Sequence, residues 1–232
     1  VIGSSSSGKT LLSYLLSGII DDYTGNIIST YKNREIGYIF QRPEEAFIFE
    51  TVKEELAFGI RKYNYRVDEI DKRMEEALKM VGLPKFYLDR NPFTLSSGEK
   101  EALALATILI LNPKVIIIDD PSISLDNYRC DHLIKLLKKL CNRYKKTIII
   151  FSSNTQFLVR VTDNYVLLKN GKIVLSGNRR NLSDNIGKFK NANVCIPRIT
   201  EFISNANKKY NANLEYTFDI KELMKDIYRN VK

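Results

Sequence analysis

The sequence predicts an α/β domain with a mostly parallel central sheet, an inserted helical subdomain and a small C-terminal extension. Three observations predict it. "VIII" (115–118) and "TIIIF" (147–151) are short, continuous apolar runs, the pattern of central parallel strands buried on both faces. A helical segment, 127–144, lies between them. Near the start, a Gly/Ser loop stands between the tail of a strand and an amphipathic helix.

The elements follow in order. "VIG" (1–3) reads as the end of a strand already under way, with no initiator Met before it, so earlier strands are expected upstream. "KTLLSYLLSG" (9–18) predicts a helix with Leu11, Leu12, Leu15 and Leu16 on one face. "IGYIFQRP" is a short strand broken at Pro43. In 67–82, Val67, Ile70, Met74, Ala77, Leu78 and Val81 recur at helical spacing, and Gly82 closes the helix. "SSGEKEALALATILILN" is a further helix, stopped near Pro113. "NYVLLKNGKIVLSG" (164–177) predicts a hairpin turning at Asn170 and Gly171. The Asn-rich tail, 178–232, reads as loop plus one or two helices, with "DIKELMKDIYRNV" the best of them. The expected division is therefore a main domain over 1–177, holding a helical subdomain at about 43–106, and an extension over 178–232.

Composition narrows the class. The chain has 232 residues, 44% hydrophobic and 27% charged, which is globular rather than disordered. No apolar run approaches the roughly 18 residues needed to span a bilayer. Cys130, Cys141 and Cys195 lack metal-like spacing and suit a reducing compartment. The net charge is +9, part of it in the tail, where 11 Lys/Arg stand against 6 Asp/Glu. No dense basic cluster or nucleic-acid motif accompanies that charge, so a solvated basic face is expected.

"GSSSSGKT" carries the chemistry. Gly3, Ser4, Ser5, Ser6, Ser7, Gly8, Lys9 and Thr10 match G-x-x-x-x-G-K-[ST], the phosphate loop of P-loop NTPases. Such a loop wraps phosphates in backbone N–H groups and aims the positive end of the next helix at them. Lys9 can reach the β- and γ-phosphates, and the Thr10 hydroxyl can ligate Mg²⁺. The implied cofactors are ATP and Mg²⁺. Asp119, ending the second apolar strand, is the carboxylate expected to hold that Mg²⁺.

Between these motifs stands "LSSGEK" (95–100), at the start of a helix. It resembles the Leu-Ser-Gly-Gly-Gln signature of ATP-binding-cassette (ABC) ATPases. The order agrees over 1–177: phosphate loop, "FQRP" with Gln41, signature, the strand ending in Asp119, then "SISLD", similar to the D-loop with its Asp126. "QRPEEAFIFETVKEELAFG" (41–59) is similar to the Gln-loop region of energy-coupling-factor ATPases of the cobalt and vitamin uptake type, with Thr51, Val52, Glu55, Ala57, Phe58 and Gly59 in register. The resemblance implies two ATPase subunits sandwiching two ATP molecules. Ser96, Ser97, Gly98 and Glu99 of each would act on the partner's ATP. Gln41 would join Thr10 and Asp119 around Mg²⁺ and link the γ-phosphate to the helical subdomain.

Two departures bear on hydrolysis. Family members that cleave ATP place Glu after the Mg²⁺-holding Asp, to activate water; here stands Asp120, one methylene shorter. A misplacement of about 1 Å can cost on the order of 10²-fold in rate. Where the family places a switch His after the next strand, this chain has Ser153, and its one histidine, His132, lies on another helix. Ser6, Ser97 and Glu99 are milder departures, and Ser6 would carry strain of about 1 kcal/mol if its φ is positive.

The reading is an ATP-binding importer subunit of the energy-coupling-factor type, at the cytoplasmic face of the membrane, taking up a vitamin or a metal ion. It binds ATP and Mg²⁺ and hydrolyses slowly. The implied partners are a second ABC ATPase subunit completing a heterodimer, a transmembrane coupling protein and a substrate-binding membrane protein. The alternative is a nucleotide-dependent clamp or regulator, possible partners of which include nucleic acid. Such proteins often carry two cassettes or a long coiled-coil insertion, and neither is in this sequence.

Overall fold

The computed structural model describes residues 1–61, 66–121 and 126–230. In chain order the elements are β1 (Ile2–Gly3), α1 (Lys9–Ser17), β2 (Ile36–Ile39), α2 (Val52–Ile60), α3 (Val67–Val81), α4 (Ser97–Leu109), β3 (Val115–Asp119), α5 (Asn127–Asn142) and β4 (Thr147–Phe151). Then come α6 (Thr155–Val161), β5 (Asn164–Lys169), β6 (Lys172–Asn178), α7 (Ile186–Asn191), α8 (Arg198–Tyr210) and α9 (Ile220–Asn230). They divide into two compact units, Thr10–Ile150 and Val1–Lys9 with Phe151–Lys232.

In the unit Thr10–Ile150, strands run in the order β2-β3-β4. β2 and β3 are parallel, with Ile36 opposite Val115 and Ile39 opposite Ile118. Every residue of β3 is buried, as its uninterrupted apolar run predicts. β4, at the end of the order, buries only Ile150 and Phe151 and exposes Thr147, so it is less enclosed than its sequence suggests. The helical part packs Leu56 and Ile60 of α2, Met74 and Leu78 of α3, and Leu103 and Ala106 of α4 out of solvent. Gly82 ends α3 in the left-handed conformation (φ 80°), its N–H donating back to the carbonyls of Leu78 and Lys79.

α1 forms where expected, but its buried side is not the leucine face. Leu11 is 57% exposed, whereas Ser13 is fully buried. The Ser13 hydroxyl lies 2.7 Å from the Thr10 carbonyl, which accepts from it, and 2.9 Å from the Tyr38 hydroxyl on β2. A small side chain here lets the helix backbone approach the strand, and Tyr14 stacks against Tyr38 beside it. Packing against β2, not the count of leucines, sets the orientation.

The second unit is built on strands in the order β1-β5-β6. Ile2 of β1 lies opposite Leu167 of the parallel β5, and β5 and β6 form the antiparallel hairpin. Its two-residue turn has Asn170 and Gly171 both at positive φ (50° and 72°), as such a turn requires. The tail holds three α-helices among the described residues, more than the sequence reading anticipated. Ile203, Leu214 and Leu223 make a small core of their own, flanked by Ile199, Ala206 and Ile227. The apolar stripe of α8 was masked by its Asn and Lys content. One of those asparagines is structural: Asn207 accepts from the Leu214 N–H and donates to the Leu214 carbonyl, both at 2.8 Å.

Candidate nucleotide-binding site

The loop after β1 is tightly folded. The Ser7 N–H donates to the Ser4 carbonyl (3.2 Å), and the Gly171 N–H at the hairpin turn donates to the Ser7 carbonyl (2.9 Å). The Lys9 ammonium donates to the carbonyls of Gly3 (3.0 Å) and Ser4 (2.8 Å), arching over the loop. Ser6 and Gly8 both take positive φ, 59° and 97°. The strain foreseen for Ser6 is therefore present, of the order of 1 kcal/mol. Ser5 and Ser6 are exposed, while Ser7 is buried. Gly3 can only be glycine: a β-carbon there would run into the Ser7 hydroxyl and lie 2.8 Å from the Leu168 carbonyl. The buried Ser7 hydroxyl has no hydrogen-bond partner among the described residues. Ser153 sits exposed in a bend just after β4, between Ser152, whose N–H donates to the Val1 carbonyl (3.0 Å), and Asn154, which caps α6 by accepting from the Phe157 N–H (3.1 Å).

In the other unit, Thr10 Oγ1 donates to Asp119 Oδ2 at 2.7 Å. Asp119 is 2% exposed at the end of β3. Asp120, also buried, takes a left-handed backbone (φ 45°), which aspartate tolerates better than most residues. Gln41 is exposed two residues beyond β2, at the end of the parallel pair where β3 delivers Asp119. Two hard oxygen donors this close suit Mg²⁺, which takes few protein ligands when phosphates and water supply the rest. Burial pushes the Tyr38 hydroxyl well above the usual phenol range, with the Asp119 charge adding to it.

The segment after Gln41 is held by Glu55. Its buried carboxylate accepts from the N–H groups of Ile48 (2.9 Å) and Phe49 (3.1 Å), and Thr51 caps α2 through the Glu54 N–H. Ile48 and Phe58 remain exposed beside it.

At the start of α4, Glu99 gathers three hydrogen bonds: from the Ser96 hydroxyl (2.7 Å), the Ser96 N–H (2.8 Å) and the Tyr87 hydroxyl (2.8 Å). Those bonds, Ser96 first, hold its carboxyl down at about 2. Ser97 is exposed in the first turn. Gly98 lies under the Arg129 guanidinium, which a β-carbon there would strike. Asp126 caps α5, accepting from the Arg129 N–H (2.8 Å); residues 122–125 of the D-loop stretch lie outside the described residues.

Sequence reasoning missed Arg129 and Glu101. Burial, with the Asp120 charge, pushes the Glu101 carboxyl up to about 8. Its signal was in the chain: Glu101 shares a helix face with Leu105 and Leu109, one carboxylate on an apolar stripe.

The sequence profile of the ABC transporter family matches residues 1–123, more than half of the chain. The chain belongs to this family. It is an ATPase of the ABC type, and several relatives match it over nearly its full length. The energy-coupling factor transporter ATP-binding protein EcfA2 of Clostridium acetobutylicum is 30% identical over 98% of this chain and 84% of its own. The solved structure of cbiO1 from Clostridium perfringens, described as part of the ABC transporter complex cbiONQ, is 29% identical with a TM-score of 0.72, covering 87% of this chain and 85% of that one. An ATP-binding cassette solved as a dimer in a post-hydrolysis state, with ADP and Pi, is 26% identical with a TM-score of 0.66, covering 77% of this chain and 84% of its own. Among the described residues of this ABC ATPase, no helix is long and apolar enough to cross a membrane.

Proposed function

We propose that this chain is the ATP-binding subunit of an importer of the energy-coupling-factor type, moving a vitamin or a metal ion, and that its own site binds ATP well and cleaves it slowly. The observation that carries the transport reading is its similarity, along almost all of its length, to an energy-coupling factor transporter ATP-binding protein. The anchored segment at Ile48 and Phe49, with exposed Ile48 and Phe58, supports an apolar docking surface for a transmembrane coupling protein. A substrate-binding membrane protein completes the importer, at the cytoplasmic face of the membrane.

The residues fit the cofactors. Gly3, Ser4, Ser5, Ser6, Ser7, Gly8 and Lys9 bind phosphates through loop N–H groups and the Lys9 ammonium. Thr10 and Asp119, with Gln41, hold Mg²⁺, which when bound neutralises charge on the phosphoryl oxygens. Asp120 is the base for the attacking water, and Ser153 stands at the switch position. Ser96, Ser97, Gly98 and Glu99 act on the ATP of a second ABC ATPase subunit, and Asp126 lies at the D-loop between subunits.

Slow cleavage follows from chemistry. A shorter carboxylate at 120 must reach the same water, and a serine hydroxyl is a shorter and weaker γ-phosphate contact than imidazole. A heterodimer whose partner carries Glu and His provides one competent site. The test is ATP turnover at saturating Mg-ATP by the chain alone, by the chain mixed with its partner ATPase, and by the Asp120→Glu, Ser153→His double variant. Very low turnover alone, raised about tenfold or more by the double change, is the expected result. Robust turnover by the unmodified chain overturns the slow-site reading.

A further inference from the structure

A cavity of about 280 Å³ lies within the unit Thr10–Ile150, among the end of α3, α4 and α5. Its walls are mostly apolar, with Val81, Leu83, Leu105 and Leu136 contributing. The volume is just below the ~300 Å³ at which small-molecule pockets usually begin, so it suits a ligand of few atoms. Glu101 lines it, and the Glu101 Oε2 is buried with no hydrogen-bond partner among the described residues. A buried carboxyl oxygen left this way is costly with or without a proton on it, and a cationic donor that ionises the group would relieve it. The Asp120 charge acts on the same carboxyl, so the local field favours a positive donor. Tyr128 and His132 also line the cavity with ring centroids 6.3 Å apart, and Tyr128 contributes a ring of the kind that attracts cations. Arg129, the one Lys or Arg side chain in the wall among the described residues, is drawn toward Asp126 (3.9 Å) and lies over Gly98.

We propose that this cavity binds a small organic ammonium ion with an apolar body, its N–H groups donating to Glu101. The cavity excludes the phosphate loop, Thr10, Asp119 and Ser153, but it adjoins the nucleotide machinery, since Gly98 and Glu99 of the signature and Pro121, next to Asp120, also line it. Other titratable or charged groups facing Glu101 or its cavity are Asp120, Glu99, Tyr87, Tyr128, Arg129 and His132. Free, the Glu101 carboxyl is mostly protonated at neutral pH; pairing with a cation ionises it, so binding releases a proton.

The experiment is calorimetric titration of the full chain at neutral pH with benzylammonium chloride, with benzyl alcohol as the uncharged match, in two buffers of different ionisation enthalpy. The expected result is benzylammonium binding at least about tenfold tighter than the alcohol, with release of up to about one proton. Glu101→Gln, nearly isosteric, should weaken the ammonium about tenfold or more and abolish proton release. Ala102→Phe, filling the cavity from its α4 wall, should block both probes. Cooperative thermal melts check that each variant folds; if Ala102→Phe does not, Glu101→Gln alone decides. Equal affinity for both probes, unchanged ammonium binding in Glu101→Gln, or no binding of either probe overturns the proposal.

Discussion

The Thr10 hydroxyl donates to the Asp119 carboxylate across 2.7 Å, joining the first turn of α1 to the last residue of β3, 109 positions later. Thr10→Val keeps the shape and removes the donor. Expected are a modest stability loss, about 1 kcal/mol, and a much smaller Mg²⁺-dependent gain in melting temperature with ATP. Thermal melts with ATP in Mg²⁺ and in chelator measure both. An unchanged Mg²⁺ increment would remove these two residues from the metal site.

Two glycines should respond differently to a methyl group. At Gly3 the new carbon meets Ser7 and the Leu168 backbone carbonyl, which cannot swing away; Gly3→Ala should cost roughly 2 kcal/mol or more. At Gly98 it meets the side chain of Arg129, which is 39% exposed and can rotate. Gly98→Ala should change stability by less than about 1 kcal/mol while lowering ATP turnover in the mixed pair of subunits. Denaturant midpoints beside phosphate-release assays separate the two effects.

Glu101 makes stability depend on pH. Its carboxyl is raised from 4.5 to about 8, so over that window the folded chain holds a proton that the unfolded chain has released. The stability linked to that proton is fully present below the unfolded value and is lost as pH rises through the folded one. Relative to Glu101→Gln, the unmodified chain should therefore weaken between about pH 5 and about pH 9, losing no further once both states are ionised. Urea midpoints of the two proteins across that range check the sign; parallel curves would mean that Glu101 titrates normally.

Glu55 accepts two backbone N–H groups with one buried carboxylate oxygen, Oε2. A glutamine carbonyl can take the place of Oε2, so the informative change is Glu55→Leu, which removes the acceptor of both N–H groups at a cost of about 1–3 kcal/mol. ATP affinity should stay near its original value, because the phosphate loop is untouched, while detergent-stable co-purification with the proposed transmembrane partner should fall. Loss of ATP affinity without loss of co-purification would contradict that division of labour.

These residues differ in how far the sequence alone could reveal them. The phosphate loop was legible because its chemistry is local: eight consecutive residues specify a turn, a cation and a helix start. Asp119 was legible because a strand buried throughout rarely ends in a carboxylate without a partner charge. The hairpin was legible because Asn170 and Gly171 are the residues that accept positive φ. Arg129 was not, since Gly98, which it covers, belongs to a helix far from it in the chain; Glu101 showed only as a carboxylate on an apolar stripe, because much of the rest of its cavity comes from α3 and α5. Ser13 misled for the opposite reason: the leucines beside it have the stronger local signal, yet contact with Tyr38 decided which side of α1 is buried. In the tail, Asn207 reads as a loop residue and acts as a surrogate strand partner for Leu214.

The backbone at Asp120 has a consequence for descent. At φ 45° the position favours the short side chains that tolerate a left-handed turn. Lengthening Asp120 to Glu there carries a conformational penalty of about 1 kcal/mol unless the turn itself rearranges. A lineage that reached this state would therefore find the return path uphill in stability even where it is downhill in catalysis. On the proposed reading of a slow site beside a competent partner, subfunctionalisation between paired subunits would then act as a ratchet, with one copy free to specialise in holding nucleotide and the other obliged to keep the chemistry.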